Sequence, residues 1–207
     1  MKEKKISERE SLEIITEMIS RTKDRYISDG NIMLMWGYLV VAVTLAVWIL
    51  IANTHNGVWN WLWFLIPIVG CTVSPFMARK NQAKSGVKSY SDKITSAIWT
   101  IASLSMVVLT LFCLVFRFVY EIDSWRAMIA YPFLIVPFAE IVQGIIVKEK
   151  SLIVGGVIGL LMGMFTLCCI AGNVALVANW FMPLFIAAFV VMMIIPGYII
   201  NSKAKRK

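Results

Sequence analysis

The stretch "MLMWGYLVVAVTLAVWILIA", residues 33 to 52, holds twenty residues without one Asp, Glu, Lys, Arg or His. Coiled as an α-helix at about 1.5 Å per residue, it is as long as the hydrocarbon core of a bilayer is thick. It predicts a membrane span. Five more runs of similar length follow, at 58 to 78, 94 to 116, 127 to 147, 152 to 172 and 179 to 200. The expected fold is therefore all-α. It is a polytopic membrane protein with six transmembrane helices over residues 32–200, an N-terminal arm at 1–31 and a basic tail at 201–207. With 59% hydrophobic and 15% charged residues, against roughly 25% charged in soluble domains, the chain has more apolar surface than a water-soluble core can hide. The lipid bilayer is the first partner this composition implies.

The net charge of +8 does not point to nucleic acid, because the basic residues sit in the connections and not on a soluble face. Alternate connections carry very different numbers of Lys and Arg. The arm, the loop "RKNQAKSGVKSYSDK" (79 to 93), the "KEK" turn (148 to 150) and the tail "NSKAKRK" (201 to 207) together hold eighteen; the opposite connections hold two, Arg117 and Arg126. By the positive-inside rule both termini are expected in the cytoplasm. Trp59, Trp61, Trp125 and Trp180 then fall near the outer interface, and Trp36, Trp99 and Tyr198 near the inner one, where belt anchoring is the expected role. Cys71, Cys113, Cys168 and Cys169 lie within apolar runs and read as packing, not as a disulfide or zinc framework.

The arm "ISERESLEIITEMISRTKDRYI" (6 to 27) repeats apolar Leu12, Ile15, Ile19 and Tyr26 at helical spacing. Ser7 and Glu10 match a capping box, acids lead and bases close, so an amphipathic helix is expected there. It ends near "SDGN", where Gly30 suits a left-handed turn into the bilayer. Such a helix lies on the membrane surface, packs against the bundle, or pairs with a protein partner.

Within the bundle, "GGVIGLLMG" puts Gly155, Gly159 and Gly163 at i, i+4 and i+8, a small-residue stripe for close helix packing. The stripe leaves open another span or a second copy of the chain as its partner. Prolines fall in the second run (Pro67, Pro75), the fourth (Pro132, Pro137) and the sixth (Pro183, Pro196), where each removes a backbone hydrogen bond.

The sharpest anomaly is Glu140 in "PFLIVPFAEIVQG" (132 to 144). It lies roughly 10 Å inside the cytoplasmic end of its span, with Gln143 one turn on, and no Lys, Arg or His at matching depth. Tyr38, Thr72, Ser74, Thr100 and Ser103 are the hydrogen-bonding candidates at that depth. Two states follow: a neutral acid inside a packed interior, holding helices together, or a charge beside a water-filled cavity, contacting a proton, cation or substrate.

No constellation for hydrolysis or metal binding is visible. There is one His, in a loop, and a single intramembrane carboxylate; Glu121 and Asp123 sit beside Arg117 and Arg126 and read as interfacial charge pairs. Neither a P-loop nor a dinucleotide fingerprint is present, so no enzyme and no cofactor is expected.

Three stretches, "GNIMLMWGYLVV" (30 to 41), "KEKSLIVGGVIG" (148 to 159) and "IIPGYIINSK" (194 to 203), together with the helical arm, resemble a family of small uncharacterised six-span membrane proteins of the Bacteroidota, often encoded beside a winged-helix transcription regulator. The resemblance implies a multi-pass protein of the bacterial inner membrane. It carries over no catalytic residue. Gly37, Gly155, Gly156 and Gly197 match its glycines, for which packing and turns are implied; Glu140 falls outside the three motifs. The leading expectation is a non-enzymatic protein acting as an accessory or through protein contact. The rival is a small transporter or channel using Glu140.

Overall fold

The computed structural model describes residues 30–85 and 90–205 and, in the arm, residues 9, 10, 12–14 and 16. Those arm positions are helical and Leu12 is exposed; the rest of the expected amphipathic helix lies outside the described residues. All regular structure among the described residues is helical. Six helices are long and apolar enough to cross a membrane: Gly30–Thr54, Gly57–Lys80, Lys93–Val119, Trp125–Val147, Lys150–Ala171 and Ala178–Lys203. The chain is an all-α polytopic membrane protein. Six is an even number, so residues 30 and 205 lie at the same end of the bundle as Lys80, Lys93 and the 148–150 turn. We call this the basic end.

Gly30 is not a left-handed turn but the first residue of the first span. A Cβ there would lie 2.5 Å from Oδ1 of Asn201 and 2.6 Å from the Gly197 carbonyl. Close approach of the sixth span, not a turn, explains this glycine.

The glycines of the fifth span also behave differently from a single stripe. Gly155 faces the Val191 carbonyl, at 2.9 Å from a built Cβ, and Gly159 faces Sδ of Met192, both in the sixth span. Gly163 faces the carbonyl of Phe133 in the fourth span, and Gly156 faces Pro137 and Ile141 there. The reason is helical drift: each i+4 step turns about 40°, so eight residues carry Gly163 about 80° round from Gly155, whereas Gly156 and Gly163 differ by about 20°. The fifth span thus offers two flat faces to two neighbours, both within the chain.

These contacts set the order of packing. The sixth span lies between the first and the fifth, and the fifth also packs on the fourth. The second span rests on the first and the third on the fourth. These two are peripheral: 6% and 11% of their apolar windows are buried, against 44% for the sixth. Their exposed Ile68, Phe76, Leu104, Leu111 and Phe112 form a lipid-facing wall.

Two apolar clusters hold the bundle. The larger joins Val40, Val43 and Val47 to Phe133 and to Phe181, Phe185, Phe189, Met192 and Met193, with the Phe133 and Phe185 rings 4.8 Å apart and edge to face. The smaller, at the basic end, contains Met33, Leu152 and Ile200.

The prolines shape the spans without cutting them. Gly57–Phe64 is 3-10 helix, capped by Asn56, and Pro67 falls in the first turn of the α-helix that follows. Pro132 interrupts the fourth span's ladder at Tyr131, whose angles stay helical. Ahead of Pro196, which has no N–H to donate, the ladder slips by one residue: Val190–Ile194 is a π-helical turn and Ile195 N–H bonds to the Val190 carbonyl. The fourth and fifth spans meet in a tight turn, where Lys148 is left-handed and Glu149 N–H bonds back to the Gly144 carbonyl at 2.9 Å.

Candidate functional site

Glu140 sits on the fourth span one turn after Pro137, within the stretch that packs against Gly156. Its exposure is 0%, and neither carboxylate oxygen has a hydrogen-bond partner among the described residues. On the far side of the same turn of the fifth span, Gly155 and Gly159 receive Met192, also fully buried. The stretch Pro137–Ile141 that carries Glu140 and the π-turn of the sixth span therefore pack on the same turn of the fifth, Gly155–Gly159.

None of the five candidates chosen by depth bonds to Glu140. Tyr38 is exposed and its hydroxyl bonds to that of Tyr198. The Thr72 hydroxyl donates to the Ile68 and Val69 carbonyls of its own helix, and Thr100 to the Ser96 carbonyl at 2.7 Å. Ser103 faces outward from the third span, and the Ser74 hydroxyl accepts from the Trp36 indole N–H at 2.8 Å. Depth along a helix follows from counting residues, but rotation about its axis does not. Thr72, Thr100 and Ser103 lie on exposed faces of the two peripheral spans.

Gln143 is the one predicted site residue placed beside Glu140, and it is already engaged. The Trp99 indole N–H donates to its Oε1 at 2.7 Å. Trp36 and Trp99 thus act as ties from a core span to each peripheral span, and not solely as interface anchors. Trp99→Phe keeps a ring there and leaves the mostly buried Gln143 carbonyl unpaired. The expected loss is about 1–3 kcal/mol of stability, read as a lower unfolding midpoint in detergent; an unchanged midpoint would show that the tie contributes nothing.

At the basic end a second polar group forms. Glu149 caps the fifth span, accepting from Ser151 N–H at 3.4 Å and from the Ser151 hydroxyl at 3.0 Å. Lys203 Nζ, from the end of the sixth span, donates to both its oxygens at 2.6 and 2.9 Å. Burial pushes the Glu149 carboxyl up, but Lys203 and Ser151 together outweigh it and hold it below its ordinary 4.5. The ionised form, and with it the pair, is present above that value and is lost only as pH falls through the lowered one. Beside it, Asn201 Nδ2 donates to Asn31 Oδ1 at 2.7 Å. The sequence marked Glu149 only as part of a turn; its capping position ahead of an apolar run was the available signal.

The opposite end shows less. Among the described residues no ion pair joins Glu121 or Asp123 to Arg117 or Arg126; Asp123 instead accepts from Trp125 N–H at 3.2 Å. Trp61 and Phe64 stack there and Trp125 meets both edge to face, tying the 3-10 segment to the fourth span. All four cysteines are unpaired.

Comparison with known families, with curated proteins and with solved structures finds no match. Fold and site define the class: an integral membrane protein with six spans and a carboxylate sealed in its interior.

Proposed function

We propose that the protein is a non-enzymatic transporter of the bacterial inner membrane, with cytoplasmic termini, in which Glu140 takes up and releases a proton as the bundle opens and closes. One observation carries this: a fully buried carboxylate with both oxygens unpartnered. A structural role for Glu140 needs a hydrogen bond to another helix, and among the described residues it makes none. Burying such a group without a partner costs several kcal/mol on the order given by transfer data, a cost that a purely structural residue has no reason to carry. The proton is the ion this site suits. A hard metal cation needs about six oxygen ligands, whereas a single carboxyl holds a proton by itself. Irregular helices also fit transport, since the fourth span carries Pro137 one turn before Glu140 and the sixth a π-turn at Val190–Ile194. The positive-inside bias supports the cytoplasmic assignment of the basic end.

An accessory role through protein contact is the second reading, and the sealed interior favours it, because Glu140 has no aqueous contact. The two part on one experiment. In proteoliposomes carrying an imposed pH gradient and a pH-sensitive dye, the wild-type protein is expected to collapse the gradient faster than empty vesicles, and Glu140→Gln, which keeps shape but cannot ionise, is expected to lose that effect. Equal rates for wild type and Glu140→Gln sink the transport reading. The accessory reading then predicts that removing residues 1–27 changes the proteins cross-linked to the chain.

A further inference from the structure

We infer that the last half-helix of the sixth span, Ile195–Lys205, is a gate on the basic side of Glu140, hinged at the π-turn and clasped shut by the Lys203–Glu149 pair. The inference rests on Glu140 being the exchanging group.

Four observations converge on it. The hinge lies at the right depth: Val191 and Met192 pack on Gly155, and Met192 on Gly159, the same turn of the fifth span whose Gly156 meets Pro137 and Ile141 beside Glu140. Everything in the sixth span from that level to the basic end is the segment Ile195–Lys205. Its attachment to the span above runs through a π-turn and Pro196, where the backbone ladder is out of register and missing a donor.

The segment is also held differently from the rest of its span. Above the hinge, Phe181, Phe185, Phe189, Met192 and Met193 belong to the large core. Below it, the hold is the smaller cluster of Met33, Leu152 and Ile200, the close approach of Gly197 to Gly30 and Leu34, and Pro196 on Gly155. Polar ties supply the remainder: Tyr198 to Tyr38, Asn201 to Asn31, and Lys203 to Glu149. Such ties exchange readily for water at an exposed end, so this segment opens at lower free energy than the core above it. The clasp joins the sixth span to the turn that ends the fourth, at the end of the bundle nearer to Glu140 in sequence.

The test reads water access to Glu140 in the full-length protein in liposomes. A water-soluble carbodiimide with glycine methyl ester modifies carboxyls reached from the aqueous phase, and dicyclohexylcarbodiimide reaches them through lipid; mass spectrometry of the peptide containing Glu140 counts each product. Lys203→Gln and Glu149→Gln are expected to raise the aqueous modification of Glu140 severalfold with the lipid-borne one unchanged. The charge swap Glu149→Lys with Lys203→Glu is expected to restore protection. Lys150→Gln, which removes a neighbouring exposed charge outside the clasp, is expected to match the wild type. Unchanged aqueous reactivity in the two single variants overturns the gate, as does an equal rise in Lys150→Gln or a failure of the swap to protect. If those variants are silent while Glu140→Gln still abolishes gradient collapse, the gate is wrong and transport stands; the reverse pattern removes transport, and with it the gate, leaving only a segment that controls water access to Glu140.

Discussion

Replacing Glu140 by methionine is expected to make the protein more stable and inactive together. The carboxyl is fully buried with two unpartnered oxygens, and an unsatisfied buried polar group costs about 1–3 kcal/mol. Methionine has nearly the same length and adapts its shape to irregular apolar surroundings, so the oxygens leave without a cavity taking their place. The midpoint of thermal unfolding in detergent, followed by tryptophan fluorescence, should rise. Proteoliposomes carrying the variant should hold a pH gradient as empty vesicles do. Glu140→Ala separates the polar and packing terms: it removes the same oxygens but opens a cavity, and its midpoint should fall below that of Glu140→Met. A drop in stability for Glu140→Met would mean that the carboxylate is a structural hydrogen-bonder after all, and would remove the main support for the transport reading. Residues kept at a cost to stability are those that function requires.

The second large effect is expected at Gly163. Its missing Cβ leaves room for the Phe133 carbonyl, with the carbonyl carbon 2.8 Å from where that Cβ would be. Backbone cannot step aside as a flexible side chain does. Gly163→Leu must therefore push the fourth span off the fifth and pull Phe133 from its contacts with Phe181, Phe185 and Phe189. Forced overpacking of this kind costs about 1–3 kcal/mol or more, and here it also loosens the central aromatic cluster. The expected result is a large fall in monodisperse protein after detergent extraction. Gly159→Ala offers the contrast, because what stands in its way is the Met192 side chain, Cγ and Sδ, and not backbone; it should be milder. If Gly163→Leu extracts and unfolds like the wild type, the split of the glycines between two neighbours is incorrect.

The six spans were legible because length and apolarity are one-dimensional properties, and the described helices run within a few residues of the expected bounds. What failed was everything that depends on rotation. Tyr38, Thr100 and Ser103 were chosen by depth, yet the helices that carry them turn those side chains elsewhere. Gly163 was grouped with Gly155 by spacing, although helical drift assigns it to another neighbour. Trp36 and Trp99 matched an interfacial belt by position, while their indole N–H groups found Ser74 and Gln143 in adjacent helices. No local feature of the sequence announces that the sixth span packs beside the first. Glu140 stood out because a carboxylate in an apolar run is anomalous wherever the helix points; that nothing bonds to it required the fold.

The position of the sixth span between the first and the fifth has a consequence for how the chain is made. Asn31 and Asn201 are bonded across 170 positions of sequence, so this partner of the first span is made only after the four spans between them. Until then Gly37, Val40 and Val47 have only early neighbours to shelter them, and the slot between the first and fifth spans waits unfilled in the bilayer. A nascent chain halted before residue 178 would insert five helices and yet lack the one that closes the bundle. Closure of the bundle therefore waits for the sixth span, and the packing of the first is not complete until all six are in the bilayer.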